Sequence, residues 1–94
     1  MSTFIMFGKY SAEATRGMSP ERTNVVVDLV KKYGGEVNSM YALLGKSDLV
    51  FVVNFPAAEN AMKASVAINK STGISFTTSQ AVSVEEFDNM LGEV

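Results

Sequence analysis

Five side chains in this sequence are candidates for a small polar site. They are one carboxylate, two phenols and two cations, namely Lys9, Tyr10, Arg22, Tyr41 and Asp48. Cations and phenols at an apolar cleft can bind a small anionic or phenolic ligand, and a carboxylate or phenol can position or deprotonate a substrate. We therefore interpret all five as candidate ligand-binding residues. If the protein is an enzyme, the candidate catalytic residues among them are Asp48, Tyr10 and Tyr41.

Residue types that are missing from the sequence exclude several kinds of chemistry. The chain has neither histidine nor cysteine, so it has no Ser-His-Asp triad, no thiolate nucleophile and no disulfide. The carboxylates are scattered and the six methionines are expected to fill gaps in the core, so we predict no metal site. Haem would need a Tyr or Met ligand in place of the usual axial histidine, and we expect no cofactor.

Length and composition indicate one globular domain over residues 1–94. Hydrophobic residues make up 47% of the chain and the net charge is −2. With no run of basic residues, binding to nucleic acid is not expected. The apolar stretches are only strand-sized, which argues against a membrane span, and the first ten residues do not resemble a signal peptide. A cytoplasmic location is therefore expected.

Apolar periodicity and cap residues predict the element order βαββαβ, followed by a short helix. Ser19 and Pro20 are typical of a helix start, and the glycine pair at 34–35 is typical of a helix end. A second capping sequence at Ser83 predicts the short helix, which ends near Leu91. The predicted strands are residues 3–10, 36–44, 49–55 and 74–82, and the long helices are 20–33 and 56–71. Residues 11–18 are predicted to be a polar loop.

This order predicts an α+β, ferredoxin-like fold, whose four-stranded antiparallel sheet has the spatial order 4-1-3-2 and helices on one face. Strand three is apolar on both faces, which suits a central position. Two helices cover only one sheet face, so the other face predicts a two-fold dimer that resembles an α/β barrel. We predict that Phe51 packs inside its own subunit and that Val52 faces the oligomer.

The hairpin segment LLGKSDLVFVV, residues 43–53, resembles the GYD-domain family of the dimeric α/β-barrel superfamily. The family pattern has a Gly, a Tyr and an Asp in this hairpin; Gly45 and Asp48 match, and Ser47 stands in place of the Tyr. The segments FIMFGKYS, SPERTNVV, GGEVNSMYALLG and SVEEF extend the resemblance over nearly the whole chain. The superfamily includes cofactor-free monooxygenases, small-lactone isomerases, haem enzymes and sensor domains, so the resemblance implies no single reaction.

Two functional hypotheses follow for this chain. The first is a homodimer or higher homo-oligomer that binds a small hydrophobic or anionic ligand. The alternative is a cofactor-independent oxygenase or isomerase that acts on a ring compound. Asp48 also has a purely structural interpretation, in which it accepts backbone N–H bonds at the turn and Arg22 or Lys9 neutralises it. RNA binding is disfavoured, because strand three lacks the basic residue and the glycine of an RNA-recognition motif.

Overall fold

The structure, a computed structural model that describes residues 1–94, contains one antiparallel sheet of four strands. The strands are β1 (Ser2–Tyr10), β2 (Glu36–Ala42), β3 (Leu49–Phe55) and β4 (Ile74–Ala81). Their order across the sheet is β2-β3-β1-β4, which is the predicted order viewed from the opposite edge. The predicted α+β, ferredoxin-like fold is therefore confirmed, and the two most apolar strands lie at the centre.

Four helices accompany the sheet, and their ends follow from local sequence. They are α1 (Ala12–Arg16), α2 (Pro20–Lys32), α3 (Ala58–Thr72) and α4 (Val84–Leu91). The predicted cap at Ser19 is confirmed, because its hydroxyl accepts a hydrogen bond from the Arg22 backbone N–H at 3.2 Å. Gly73 ends α3 at φ +78°, a left-handed conformation that costs glycine little. None of these helices combines the length and the apolar character that crossing a lipid bilayer requires.

Two local predictions were wrong. Residues 11–18 contain α1 rather than only a loop, because the Ser11 hydroxyl caps a short helix that buries Ala14. On α3, the apolar spacing predicts a buried stripe of Ala58, Ala61, Met62, Ser65 and Ile68, but Ala58 and Met62 are exposed and Ala64 is buried. Small side chains on the buried side let α3 lie close to the sheet.

The core lies between the helices and one face of the sheet. Phe51, Val53 and Phe55 of β3 are fully buried. The Phe55 ring meets the Phe4 ring edge-on, with ring centroids 5.9 Å apart. The predicted position of Phe51 inside its own subunit is confirmed. The other buried apolar residues are Met6, Ala14, Val26, Val30, Ala61, Ala64, Ile68 and Ile74.

The sheet face away from the helices, called here the open face, is also apolar at its centre. Strand alternation and the β1–β3 register place four apolar side chains there. Ile5, Val50 and Val52 are half-buried, and Phe7 is exposed. One end of this face is polar, because the Thr3 hydroxyl donates to Asn54 Oδ1 at 2.9 Å and Asn54 Nδ2 donates to Asn38 Oδ1 at 3.4 Å.

A bulge at Asn38 determines which side chains of β2 face the helices. Val37 pairs with Val53, but Ser39 already pairs with Val52, so β2 has one extra residue at this point. An extra residue reverses the alternation of side chains beyond it. Met40 consequently packs against the core, and Tyr41 lies on the open face with 59% of its surface exposed.

We expect Phe51→Ala to lower the free energy of unfolding by about 3–5 kcal/mol, because it leaves a cavity between the helices and the sheet. Urea denaturation followed by circular dichroism measures this change. Leu44→Ala is the control, because Leu44 is fully exposed in the β2–β3 hairpin, and its effect should stay within about 0.5 kcal/mol. Equal losses for the two variants would contradict the assignment of Phe51 to the core.

Candidate functional site

Asp48 joins the β2–β3 hairpin to the end of β1. The regular β1–β3 pairing ends at Gly8 and Leu49. Beyond that pair, the Asp48 backbone N–H donates to the Gly8 carbonyl at 2.8 Å. The Tyr10 backbone N–H donates to Asp48 Oδ2 at 2.8 Å. The carboxylate therefore takes the place of a strand carbonyl and satisfies a donor that the diverging chain leaves behind.

The rest of the hairpin is closed by backbone geometry. The Leu43 N–H donates to the Asp48 carbonyl at 2.8 Å. Gly45 has φ +149°, a value that side chains other than hydrogen rarely allow. The Lys9 ammonium donates to the Lys46 carbonyl at 2.9 Å. Lys9 thus holds the hairpin from β1, and no basic side chain forms an ion pair with Asp48, since the chain's ion pair joins Lys63 to Glu59.

Arg22 lies in the first turn of α2 and reaches β1 and α1. Its guanidinium carbon is 5.2 Å from the centroid of the Tyr10 ring, a cation–π contact. Its Nη1 group donates to the Ala14 carbonyl. Arg22 is half-buried and has no acidic partner within ion-pair distance. Because a guanidinium carries five N–H donors, several remain for an anion.

Arg22 stands beside an apolar cleft of about 170 Å³ between α2 and the sheet. Besides Arg22 and Thr23, the cleft is bordered by aromatic and aliphatic residues: Tyr10, Val26, Met40, Tyr41, Ala42, Leu49, Phe51 and Ile74. An apolar cavity of about 150 Å³ is large enough for a benzene ring. The arrangement is suited to a small ligand with an apolar body and one anionic group.

The five sequence-predicted residues divide into three groups. Tyr10 and Arg22 border the cleft and contact each other. Tyr41 belongs to the cleft rim, but the bulge in β2 places its side chain on the open face. Lys9 and Asp48 do not border the cleft and hold the hairpin instead. Lys70 lies with Glu13 and Arg22 around a separate polar hollow of about 290 Å³.

Several residues that border the cleft are not among the five sequence-predicted candidates. Thr23 and Val26 are on α2, Met40 and Ala42 on β2, and Ile74 begins β4. Apolar periodicity marks such residues as core without showing which of them border a gap. Thr23 could have been chosen as a candidate cleft residue because it follows Arg22 in the first turn of α2, and the later turns of that helix contribute to the core.

Comparison with known proteins agrees with this fold. The four-stranded sheet with helices on one face defines the chain as a ferredoxin-like α+β protein. A family model described as the GYD domain matches residues 4–91. The chain therefore belongs to the GYD domain family. No curated protein matches the chain.

Several solved structures share the fold at low sequence identity. The leucine response regulatory protein LrpA of Mycobacterium tuberculosis has a TM-score of 0.58 and 12% identity, over 87% of this chain and 51% of LrpA. An amidase of the hydantoinase/carbamoylase family from Burkholderia multivorans has a TM-score of 0.53 and 17% identity, over 86% of this chain and 27% of the amidase. The chain thus spans about half of LrpA and about a quarter of the amidase, and these likenesses show the fold alone.

We expect Asp48→Ala to lower the free energy of unfolding by about 1–2 kcal/mol, because the Tyr10 N–H loses its acceptor. Asp48→Asn should lose less, since its amide oxygen can still accept that bond. Urea denaturation measures both variants, and Asp28→Ala on the exposed side of α2 is the control. An unchanged midpoint for Asp48→Ala would show that this bond does not hold the hairpin.

Proposed function

We propose that this protein is a homo-oligomeric, cytoplasmic binding protein for a small apolar carboxylate. The observation that carries the proposal is the half-buried Arg22, which borders an apolar cleft without an acidic partner. A buried or half-buried cation is normally paired, because removing a charge from water is costly. A ligand carboxylate would supply the missing anion, and the apolar lining would hold the rest of the ligand.

The contacts of Arg22 support a preformed binding group rather than a mobile surface side chain. The Tyr10 ring supports one side of the guanidinium, and the Ala14 carbonyl accepts one of its N–H groups. Both contacts fix the position of the guanidinium before a ligand arrives, which lowers the entropy cost of binding. An arginine held in this way can bind a carboxylate through two parallel hydrogen bonds.

The volume of the cleft limits the size of the ligand. At about 170 Å³ it is smaller than the roughly 300–1,000 Å³ that drug-sized ligands usually occupy. A single ring or a short branched chain matches this volume. Tyr10 and Thr23 add hydroxyl groups at the border of the cleft, which would help to orient the ligand.

The geometry favours binding over catalysis at this cleft. The enzyme hypothesis needs a base that reaches the ligand, and Asp48 is the candidate carboxylate for that role. Asp48 does not border the cleft, and one of its oxygens already accepts the Tyr10 N–H. Of the two candidate phenols, the Tyr41 side chain lies on the open face and the Tyr10 ring supports Arg22. We therefore assign Tyr10 a binding role.

Self-association through the open face is the second part of the proposal. This face has an apolar centre and, at one end, the hydrogen-bonded side chains of Thr3, Asn38 and Asn54. Specific interfaces are commonly built in this way, with an apolar centre and a polar rim. A second copy packed on the open face would cover Phe7, which is 40% exposed in the single chain.

Benzoate is a suitable probe of the cleft. We expect benzoate to raise the melting temperature of the protein, and uncharged benzamide of the same shape to have much less effect. At a ligand concentration of about 100 times the dissociation constant, binding adds roughly 2.7 kcal/mol of stability. Thermal denaturation measures the shift.

The Arg22→Gln variant should lose the benzoate effect, whereas Arg16→Gln should keep it. Arg16 is exposed at the end of α1 and does not border the cleft, so it is a matched control for loss of one guanidinium. Equal shifts from benzoate and benzamide, or a full benzoate shift in Arg22→Gln, would contradict the proposed role of Arg22.

For the open face, we expect Val52→Glu to dissociate the oligomer while each subunit stays folded. A buried carboxylate at an apolar interface has no partner and is costly to desolvate. Light scattering should give the wild type at least twice the chain mass of 10.1 kDa and the variant the mass of one chain. Val25→Glu, an equivalent change at an exposed position of α2, is the control. A wild type that is monomeric at micromolar concentration would contradict the proposal.

A further inference from the structure

We propose that α4 of one chain packs on the outer surface of α3 of a second copy, forming an interface separate from the open face. The surface on α3, called here the α3 groove, is bordered by Tyr33, Met62, Lys63, Val66, Ala67 and Lys70. This inference does not rest on the proposed ligand or on the open-face contact.

The first observation is that α4 has an apolar side with nothing to cover it. Four apolar residues recur at helical spacing along α4, and between 49% and 75% of the surface of each is exposed: Val84, Phe87, Met90 and Leu91. The helix makes only sparse contacts with the rest of its chain. An isolated helix of eight residues is only marginally stable in water, so this helix needs a packing partner.

The second observation concerns the direction of α4. Only Val82 and Ser83 separate it from β4, and the Ser83 hydroxyl caps it by accepting the Glu86 N–H at 3.1 Å. Val82 and Phe87 flank this cap, and neither is buried, since each is about half exposed. The longest dimension of the molecule is 49 Å, which exceeds the length of the nine-residue strand β1, roughly 30 Å. The short capped connection thus holds α4 away from its own core.

The third observation is the charge on each surface. Residues 84–94 contain four acidic side chains and no basic one: Glu85, Glu86, Asp88 and Glu93. The α3 groove has Lys63 and Lys70 at its border. Lys32 Nζ lies 5.7 Å from the centroid of the Tyr33 ring, and Tyr33 also borders the groove. Glu59 offsets part of this positive charge through its ion pair with Lys63 at 3.1 Å. An acidic apolar helix therefore meets a basic apolar groove.

The same charges decide between possible partners. An acidic helix without lysine or arginine is repelled by an anionic membrane surface, which removes the usual reason for an amphipathic helix to bind lipid. The α3 groove has the opposite charge and an exposed apolar pair, Met62 and Val66, four residues apart on one helix. Every copy of the chain carries this groove, so a second copy always offers α4 a surface of suitable charge.

Disulfide cross-linking tests the contact cleanly, because the chain has no cysteine of its own. One chain carries Met90→Cys on the apolar side of α4, and a second chain with a mass tag carries Met62→Cys in the α3 groove. The two are mixed and mildly oxidised. We expect a mixed disulfide between the two chains, with a yield that falls in high salt because screening weakens the charge attraction.

Two control variants make this result specific. Asn89→Cys lies on the opposite side of α4 from Phe87, so its cross-linking to Met62→Cys should be much weaker. Adding Phe87→Ser to the Met90→Cys chain should reduce the mixed disulfide by about tenfold, since the largest apolar side chain of α4 is lost. Equal yields from Asn89→Cys and Met90→Cys would overturn the proposal.

A chain that carries both Met62→Cys and Met90→Cys distinguishes packing on a second copy from packing within one chain. If α4 folds back onto its own α3, oxidation of the dilute double variant gives an internal disulfide and no linked pair, which would overturn the proposal. Disulfide-linked dimers of the double variant at the same dilution would support packing of α4 on a second copy. The open-face contact is tested independently, because Val52→Glu changes neither α4 nor the α3 groove.

Discussion

The structure depends on one constraint: two long helices cover one face of a sheet whose central strands are apolar on both faces. β1 and β3 supply Phe4, Met6, Phe51 and Phe55 to the covered side. The same strands place a second set of apolar side chains on the open face, with Phe7 the most exposed. Burial of apolar surface is the main favourable term in folding and association. The same pair of strands therefore supplies both the core and the surface through which we propose that the protein self-associates.

The hairpin between β2 and β3 shows how a charged residue can serve the fold. Asp48 precedes a strand of apolar residues and looks, in isolation, like part of a site. Its carboxylate accepts a backbone N–H from Tyr10, 38 residues away in sequence. Tyr10 in turn supports Arg22 through its ring. Asp48 thus affects the cleft by fixing the backbone of a cleft residue.

Local sequence was sufficient for much of the fold. The cap at Ser19, the helix end at the glycine pair 34–35 and the two-sided apolar pattern of β3 each reflect interactions between residues close in sequence. Long-range features were harder to predict. No residue close to Asp48 in sequence indicates that its carboxylate will accept the backbone N–H of Tyr10. The five-residue helix α1 is too short to show an apolar period. Because alanine occurs on several sides of α3, the apolar pattern of the sequence does not identify which side of that helix is buried. The pairing of Arg22 with the Tyr10 ring, and therefore the cleft itself, required the assembled sheet.

The bulge at Asn38 has a consequence for how this family can change over evolution. Because one extra residue in β2 sets the alternation beyond it, Met40 faces the cleft and Tyr41 faces away. Deleting Asn38 would restore regular pairing, because Ser39 would then follow Val37 just as Val52 precedes Val53 on β3. Met40 would still face the cleft and Tyr41 would still lie on the open face. The bulge thus absorbs one residue, and the length of β2 at this point can change by one residue without altering the lining of the cleft.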